Sequence, residues 1–355
     1  MDAIDARQGN AVVSIAAVVV VIFGMQAAKV VLIPFLLAVF LAMVTVRPTL
    51  WLQSHRVPSF IAVLIIVTIM VILLTVVGAI LGSSIAEFTA ALPNYQARLN
   101  VIIDQSLQFA ARFIEDGETI ENLSDVIDPG WAMGLAANLL NALRDVLTNT
   151  FLILFTMVFI LLEASGFRRK MQAAVGSNNE NLGRASDFLQ NLGRYLGIKT
   201  LVSIATGITA GLGTYWIGLD FPLLWGMFAF LLNYVPTIGS IIAAVPAVLV
   251  ALIQLGFGEA FSTAILFLAI NTVYGTILEP RLMGYGVGIS PLIVFISLVF
   301  WGWVFGPVGM LLSVPLTMTL KMALESSENT RWIAILIGSQ RDAEFELARR
   351  QPVED

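Results

Sequence analysis

Apolar runs of bilayer length alternate along this chain with short polar links, and the pattern predicts membrane-crossing helices. The first five runs are Ala11–Gln26, Val30–Val46, Ser59–Leu81, Thr148–Leu162 and Thr200–Leu219. About 20 apolar residues in a helix cover the roughly 30 Å hydrocarbon core. Lys29 alone divides the first two runs, so they form a tight hairpin or one long element bent around Pro34. The residues before them are not basic and no A-x-A site follows, so the first run is expected to stay in the membrane rather than be cleaved as a signal peptide. A loop is expected over Arg47–Pro58.

The third and fourth runs are separated by a polar stretch, 82–147, with nine acids and three arginines. Within it Ile85, Phe88, Leu92, Tyr95, Leu99, Ile102, Phe109 and Phe113 recur at alternating spacings of three and four, with Ser106 in the one polar slot. That spacing predicts an amphipathic helix with a narrow apolar seam, interrupted or kinked near Pro93. The seam packs either on the chain's own membrane helices, the favoured reading, or on a neighbouring protomer. A second amphipathic pattern, Leu182, Ala185, Leu189, Leu192 and Leu196, precedes the fifth run. That run carries Gly207 and Gly211 in a GxxxG arrangement, which lets helices approach closely.

From Thr200 to Leu320 only Asp220, Glu259, Glu279 and Arg281 are formally charged. The same punctuation occurs twice in this stretch. Phe221-Pro222-Leu223 and Ser290-Pro291-Leu292 each open about 31 residues, Pro236-Thr237-Ile238-Gly239 and Gly306-Pro307-Val308-Gly309 lie near their middles, and Val245-Pro246 and Val314-Pro315 follow. An arm of about 15 residues makes about 22 Å of helix, short of the membrane core. Each unit is therefore a re-entrant hairpin, the favoured reading, or a single broken helix that crosses. As hairpins, the two units (about 200–253 and 260–320) are related by inversion. Irregular backbone at membrane depth is tolerated only where protein or a water-filled cavity covers it. Proline removes donors and glycine permits the reversal. The turns then offer carbonyls and amides to a solute, the arrangement expected of a transport site.

Composition narrows the class. The chain is 58% hydrophobic and 12% charged, against about 25% charged in soluble domains. It has no cysteine and one histidine, His55, which leaves no disulfide, thiolate or His-cluster metal site. None of the four lysines ends a phosphate-binding GxxxxGK loop, and HExxH and GxSxG are absent. No cofactor, metal, nucleic-acid partner or catalytic residue is expected. The positive-inside rule puts Arg47, Arg56, Arg168–Lys170, Arg184, Arg194, Lys199 and Lys321 in the cytoplasm, with 82–147 outside and both termini inside.

The candidate binding residues follow from these patterns: Asn233, Pro236 and Gly239 in the first turn, and Gly306, Pro307 and Gly309 in the second. Glu279 and Arg281 flank Pro280 at the end of an expected helix 260–278, as a coupling site or as a structural ion pair or cap. Asn271 shares a helix face with Tyr274 at i, i+3.

Pro236-x-x-Gly239, Val245-Pro246, Glu279-Pro280-Arg281-Leu282-Met283-Gly284, Ser290-Pro291-Leu292, Gly306-Pro307-x-Gly309, Val314-Pro315 and Arg194-Tyr195-Leu196-Gly197 together resemble the AI-2E family of bacterial transporters. The family more often has Asp where Glu279 stands. The resemblance implies an eight-segment membrane protein exporting small solutes, autoinducer-2 being the eponymous one, while some members are described as Na⁺(Li⁺)/H⁺ antiporters.

The expected protein is thus an all-α integral membrane protein of about eight segments, with two Pro/Gly-broken hairpins in an internal, inverted repeat. Its regions are 1–81 (segments one to three), 82–147 (extracytoplasmic amphipathic helices), 148–199 (segment four and a cytoplasmic link), 200–320 (transport core) and 321–355 (cytoplasmic tail). It is expected to be a secondary transporter in the bacterial cytoplasmic membrane, in a homo-oligomer. Its substrate is a small polar molecule or a monovalent cation, with antiport or a passive channel as the alternatives.

Overall fold

Every regular element among the described residues is helical. The computed structural model describes residues 2–110, 134, 141, 148–175, 180–236, 238–283, 288–340 and 344. The expectations placed on 111–147 apart from Gly134 and Asn141, on Thr237 and Gly284, and on the tail from Arg341 apart from Glu344, lie outside these residues. The chain divides into two compact units: Met1–Val67 with Asn149–Gly193 and Gly288–Asp355, and Thr68–Thr148 with Arg194–Val287. Among the described residues four helices are long and apolar enough to cross a bilayer: Lys29–Ser54, Ser59–Ile102, Ser186–Ile217 and Phe257–Met283.

In the first unit, α1 (Asp2–Ala27) and α2 (Lys29–Ser54) are separated by Ala28 alone. Ala28 N–H bonds the Gly24 carbonyl and Leu32 N–H bonds the Ala28 carbonyl, so the helical ladder is nearly continuous. The pair is one long element interrupted at Ala28, and Pro34 lies inside α2. The loop expected from Arg47 begins later, because α2 runs to Ser54 through Pro48. Helix α4 (Thr150–Val175) packs on α2 and runs well past Leu162, the expected end of the fourth apolar run.

Helix α3 (Ser59–Ala110) joins the two units. It carries the third apolar run and the amphipathic seam as one element, without a break at Leu81 or Pro93. In the second unit the seam residues Phe88, Tyr95 and Leu99, together with Leu81 at the end of the third run, are buried in a core with Leu224, Trp225 and Phe228. Phe88 meets Trp225 edge-on, with ring centroids 5.8 Å apart. From Ile85 to Ile102 the seam therefore packs on the chain's own helices. Helix α5 (Glu180–Ile217) likewise fuses the second amphipathic pattern with the fifth apolar run.

Two helix–turn–helix segments follow, one in each unit. Helix α6 (Pro222–Leu232) turns through Asn233–Pro236 into α7 (Ile238–Gln254), which packs back on it. The ends of this segment meet: Asp220 N–H donates to Gln254 Oε1 at 2.9 Å, and Gln254 Nε2 donates to the Gly218 carbonyl. Gly207 of α5 and Gly226 of α6 approach so closely that a Cβ on either would meet the other's carbonyl oxygen at 2.7–2.8 Å. The GxxxG face thus serves close packing. Helix α8 (Phe257–Ile270) packs on α7, passes into a π-helical stretch, Asn271–Leu278, and ends in α9 (Glu279–Met283). The expected plain helix over 260–278 is therefore wound at two pitches.

In the first unit, α10 (Pro291–Phe305), α11 (Pro307–Leu311) and α12 (Ser313–Glu325) form the later helix–turn–helix. Helix α12 packs back on α10, with Trp301 Nε1 donating to Thr317 Oγ1 at 3.0 Å. Lys321 Nζ donates to the Gly288 carbonyl at 2.8 Å, so the ends meet here too. Trp301, Val304 and Phe305 are buried against Ile22, Met25, Leu32 and Leu36. Helix α13 (Arg331–Ile337) packs on α12, and its Ile337 carbonyl accepts from Ser290 N–H.

Candidate functional site

A helix in lipid satisfies its own backbone, so polar side chains buried along it need partners from elsewhere. Helix α5 carries such a row: buried Lys199, Ser203 and Thr206, then half-buried Thr209, three or four residues apart, hence one above another. Lys199 is only 3% exposed. Its Nζ donates to both carboxylate oxygens of Glu279, at 2.6 and 2.8 Å. One helical turn on, Asn233 Nδ2 donates to Ser203 Oγ at 2.9 Å. Tyr234 OH donates to Thr200 Oγ1 at 2.8 Å, and Thr200 Oγ1 in turn donates to the Leu196 carbonyl. Thr209 Oγ1 and Tyr274 OH share a hydrogen bond of 3.0 Å. Thr206 Oγ1 is buried and has no hydrogen-bond partner among the described residues.

Three separated pieces of chain thus converge on α5 within one unit: the turn after α6, the π-helical stretch and the start of α9. The chemistry on offer is hydroxyl, amide and phenol groups beside one neutralised ion pair. That set can hydrogen-bond a polar solute as its water is stripped away. Among the described residues no three His, Cys, Asp or Glu side chains gather as a metal would need.

The family model described as "AI-2E family transporter" matches residues 15–329. The chain belongs to the AI-2E transporter family. It is 38% identical over 326 residues to the AI-2 transport protein TqsA of Escherichia coli (strain K12), covering 92% of this chain and 94% of that one. It is 37% identical over 334 residues to a Haemophilus influenzae protein named "Putative transport protein", covering 92% and 96% of the two chains. Against the Escherichia coli (strain K12) protein named "Putative transport protein YhhT" it is 36% identical over 327 residues. This AI-2E family member is accordingly a multi-pass membrane transporter.

Of the residues the sequence nominated, Asn233 and Glu279 reach the row on α5. Asn271 is half-buried at the first position of the π-helical stretch, its Oδ1 lying over Gly275. Arg281 is exposed, and the partner of Glu279 is Lys199 instead. Pro236 is half-buried in the first turn. Gly239 is buried where a Cβ would overlap the Leu232 carbonyl. Gly306, Pro307 and Gly309 belong to the other unit. Gly306 has φ +68°, in the region that favours glycine. Pro307 opens α11, and a Cβ on Gly309 would overlap the Trp301 carbonyl, as on Gly239 with Leu232.

Lys199, which the sequence offered only as one of the basic residues expected on the cytoplasmic side, is buried in an ion pair with Glu279 in this AI-2E protein. Ser203, Thr206, Thr209 and Tyr234 went unnominated because hydroxyls are common in membrane helices. For Ser203, Thr206 and Thr209 the available signal was their three-to-four-residue recurrence after a lysine within a continuous helix.

Proposed function

We propose that this chain is a secondary transporter of the bacterial cytoplasmic membrane that exports a small polar solute, autoinducer-2 or a related metabolite. The observation that carries the reading is the buried polar row on α5, whose partners come from the first turn and the π-helical stretch. A solute entering there exchanges bonds with water for bonds with Ser203, Thr206, Asn233 and Tyr274. A hydrogen-bonding site of this kind discriminates strongly against analogues that leave its groups unpaired.

The two helix–turn–helix segments act as re-entrant hairpins in an inverted repeat, within about eight membrane segments. Support comes from the meeting of each segment's ends and from the matching seats of Gly239 and Gly309 on a carbonyl of the preceding arm. Movement of one repeat against its surroundings alternates access to the site. The C-terminal end faces the cytoplasm. A cytoplasmic N-terminus requires α1 and α2 to cross separately.

The test is flux into proteoliposomes loaded at known orientation, with autoinducer-2 as probe under imposed proton or sodium gradients. Gradient-driven uphill movement supports the carrier, with Asn233→Ala lowering it at least tenfold in folded protein. Movement that is strictly downhill under every gradient replaces the carrier with a channel.

A further inference from the structure

The stretch Asn271–Leu278 has a pitch that helices rarely keep for eight residues. A π-helix bonds each N–H to the carbonyl five residues back, and such turns cluster at functional sites. Here the wide turn ends on Glu279, whose N–H bonds the Tyr274 carbonyl, five residues earlier. The Glu279 side chain is held by Lys199, at 2.6 and 2.8 Å. The Tyr274 side chain is held by Thr209, at 3.0 Å. Both restraints come from α5, and both act on the same irregular segment. Gly275 at its centre presents no Cβ to the wide turn, and the Asn271 amide oxygen lies 3.1 Å from where that Cβ would be.

We propose that Asn271–Leu278 is a register switch, and that its tightening to α pitch is the step that withdraws Glu279 from Lys199 and Tyr274 from Thr209. The inference rests on the transporter reading and adds the moving part to it. The magnitude follows from helix geometry. Loss of one residue's worth of excess winding turns everything beyond it by about 100° and shifts it by about 1.5 Å. At the Cα radius of about 2.3 Å that rotation moves Glu279 by about 3.5 Å, and its carboxylate farther. A 2.6 Å ion pair does not survive such a displacement. The α5 row would then present Lys199, Ser203, Thr206 and Thr209 with the first and last stripped of their partners. The solute meets a site that is self-bonded in one register and open in the other. Thr209 and Tyr274 are positioning residues in this scheme, acting through the register of Glu279.

The chain has no cysteine, so a spin-label pair can be introduced without background. Leu212→Cys on α5 and Leu282→Cys beyond the switch are 51% and 40% exposed. Electron–electron distances are measured in the full-length protein in liposomes, without and with autoinducer-2. Two distance populations are expected, separated by several ångströms, with their ratio changed by the probe. Thr209→Val, which keeps the volume and removes the hydroxyl, should shift the ratio about fivefold without any probe, as expected for one lost hydrogen bond. A single distance unchanged by the probe, in labelled protein that still transports it, overturns the switch and leaves the transporter reading intact. Should the wild-type protein move no autoinducer-2, the transporter reading fails by itself. The Thr209→Val ratio then decides the switch: a shift upholds it and an unchanged ratio overturns it.

Discussion

Replacing Lys199 with methionine strands the Glu279 carboxylate in a place water barely reaches. The two side chains are 4% and 16% exposed, and the ammonium is 2.6 Å from the nearer oxygen. At an effective dielectric constant of about 20, that separation corresponds to about 6 kcal/mol of gross attraction. Desolvation of both groups opposes it, and the net worth of such pairs against an apolar replacement is often near zero. Losing one partner is different, because the other keeps its desolvation cost and has nothing to offset it. Lys199→Met and Glu279→Leu should each destabilise by about 3–5 kcal/mol. The double variant should lie within about 1–2 kcal/mol of wild type, so the two effects fail to add by several kcal/mol. Thermal unfolding in detergent, followed by intrinsic tryptophan fluorescence, reads this directly. The single variants should lose on the order of 5–10 °C in apparent Tm. A Lys199→Met protein that unfolds with wild type, or singles that simply sum in the double, would refute the pairing and the burial argument behind it.

Four further outcomes follow from the same geometry. Gly239→Ala and Gly309→Ala each place a methyl on a backbone carbonyl that has no rotamer to yield, so each should cost about 1–3 kcal/mol or more in unfolding assays. Gly24→Ala, which meets nothing within 4 Å, should be silent beside them. Trp301→Phe loses the bond to Thr317 and should cost about 1 kcal/mol plus packing, and Thr317→Val in that background should add little. Thr206→Val removes a buried hydroxyl without a partner among the described residues, so stability should hold or rise by up to about 1 kcal/mol while the KM for autoinducer-2 rises. Tyr95→Phe removes the bond to the exposed Asp220 carboxylate and should cost about 1 kcal/mol, measured by thermal unfolding.

Much of the architecture was legible because lipid imposes few solutions. Runs of apolar residues must be helices, so the crossing candidates and the two Pro/Gly-marked reversals could be read from periodicity and spacing. The seam from Ile85 through Ile102 was legible too, since spacings of three and four place those side chains on one stripe. Its partner was not, because Trp225 and Phe221 lie more than a hundred residues away and only folding brings them to Phe88. Element boundaries drifted for a related reason. Polarity changes at Leu81 and Lys199, yet α3 and α5 run through both, since a helix continues wherever its backbone bonds do.

What the chain determined by itself was its medium, its helical class and the Pro/Gly positions where it reverses direction. Those depend on transfer free energies and on the backbone limits of proline and glycine, which are local properties. What only the tertiary structure decided was the pairing of charges and hydroxyls. Glu279 has Arg281 two residues away and Lys199 eighty away, and pairs with the distant one, since side chains two apart on a helix do not face each other. Spacing along a sequence measures rotation about one helix axis. It carries no information about which second axis comes to lie beside it.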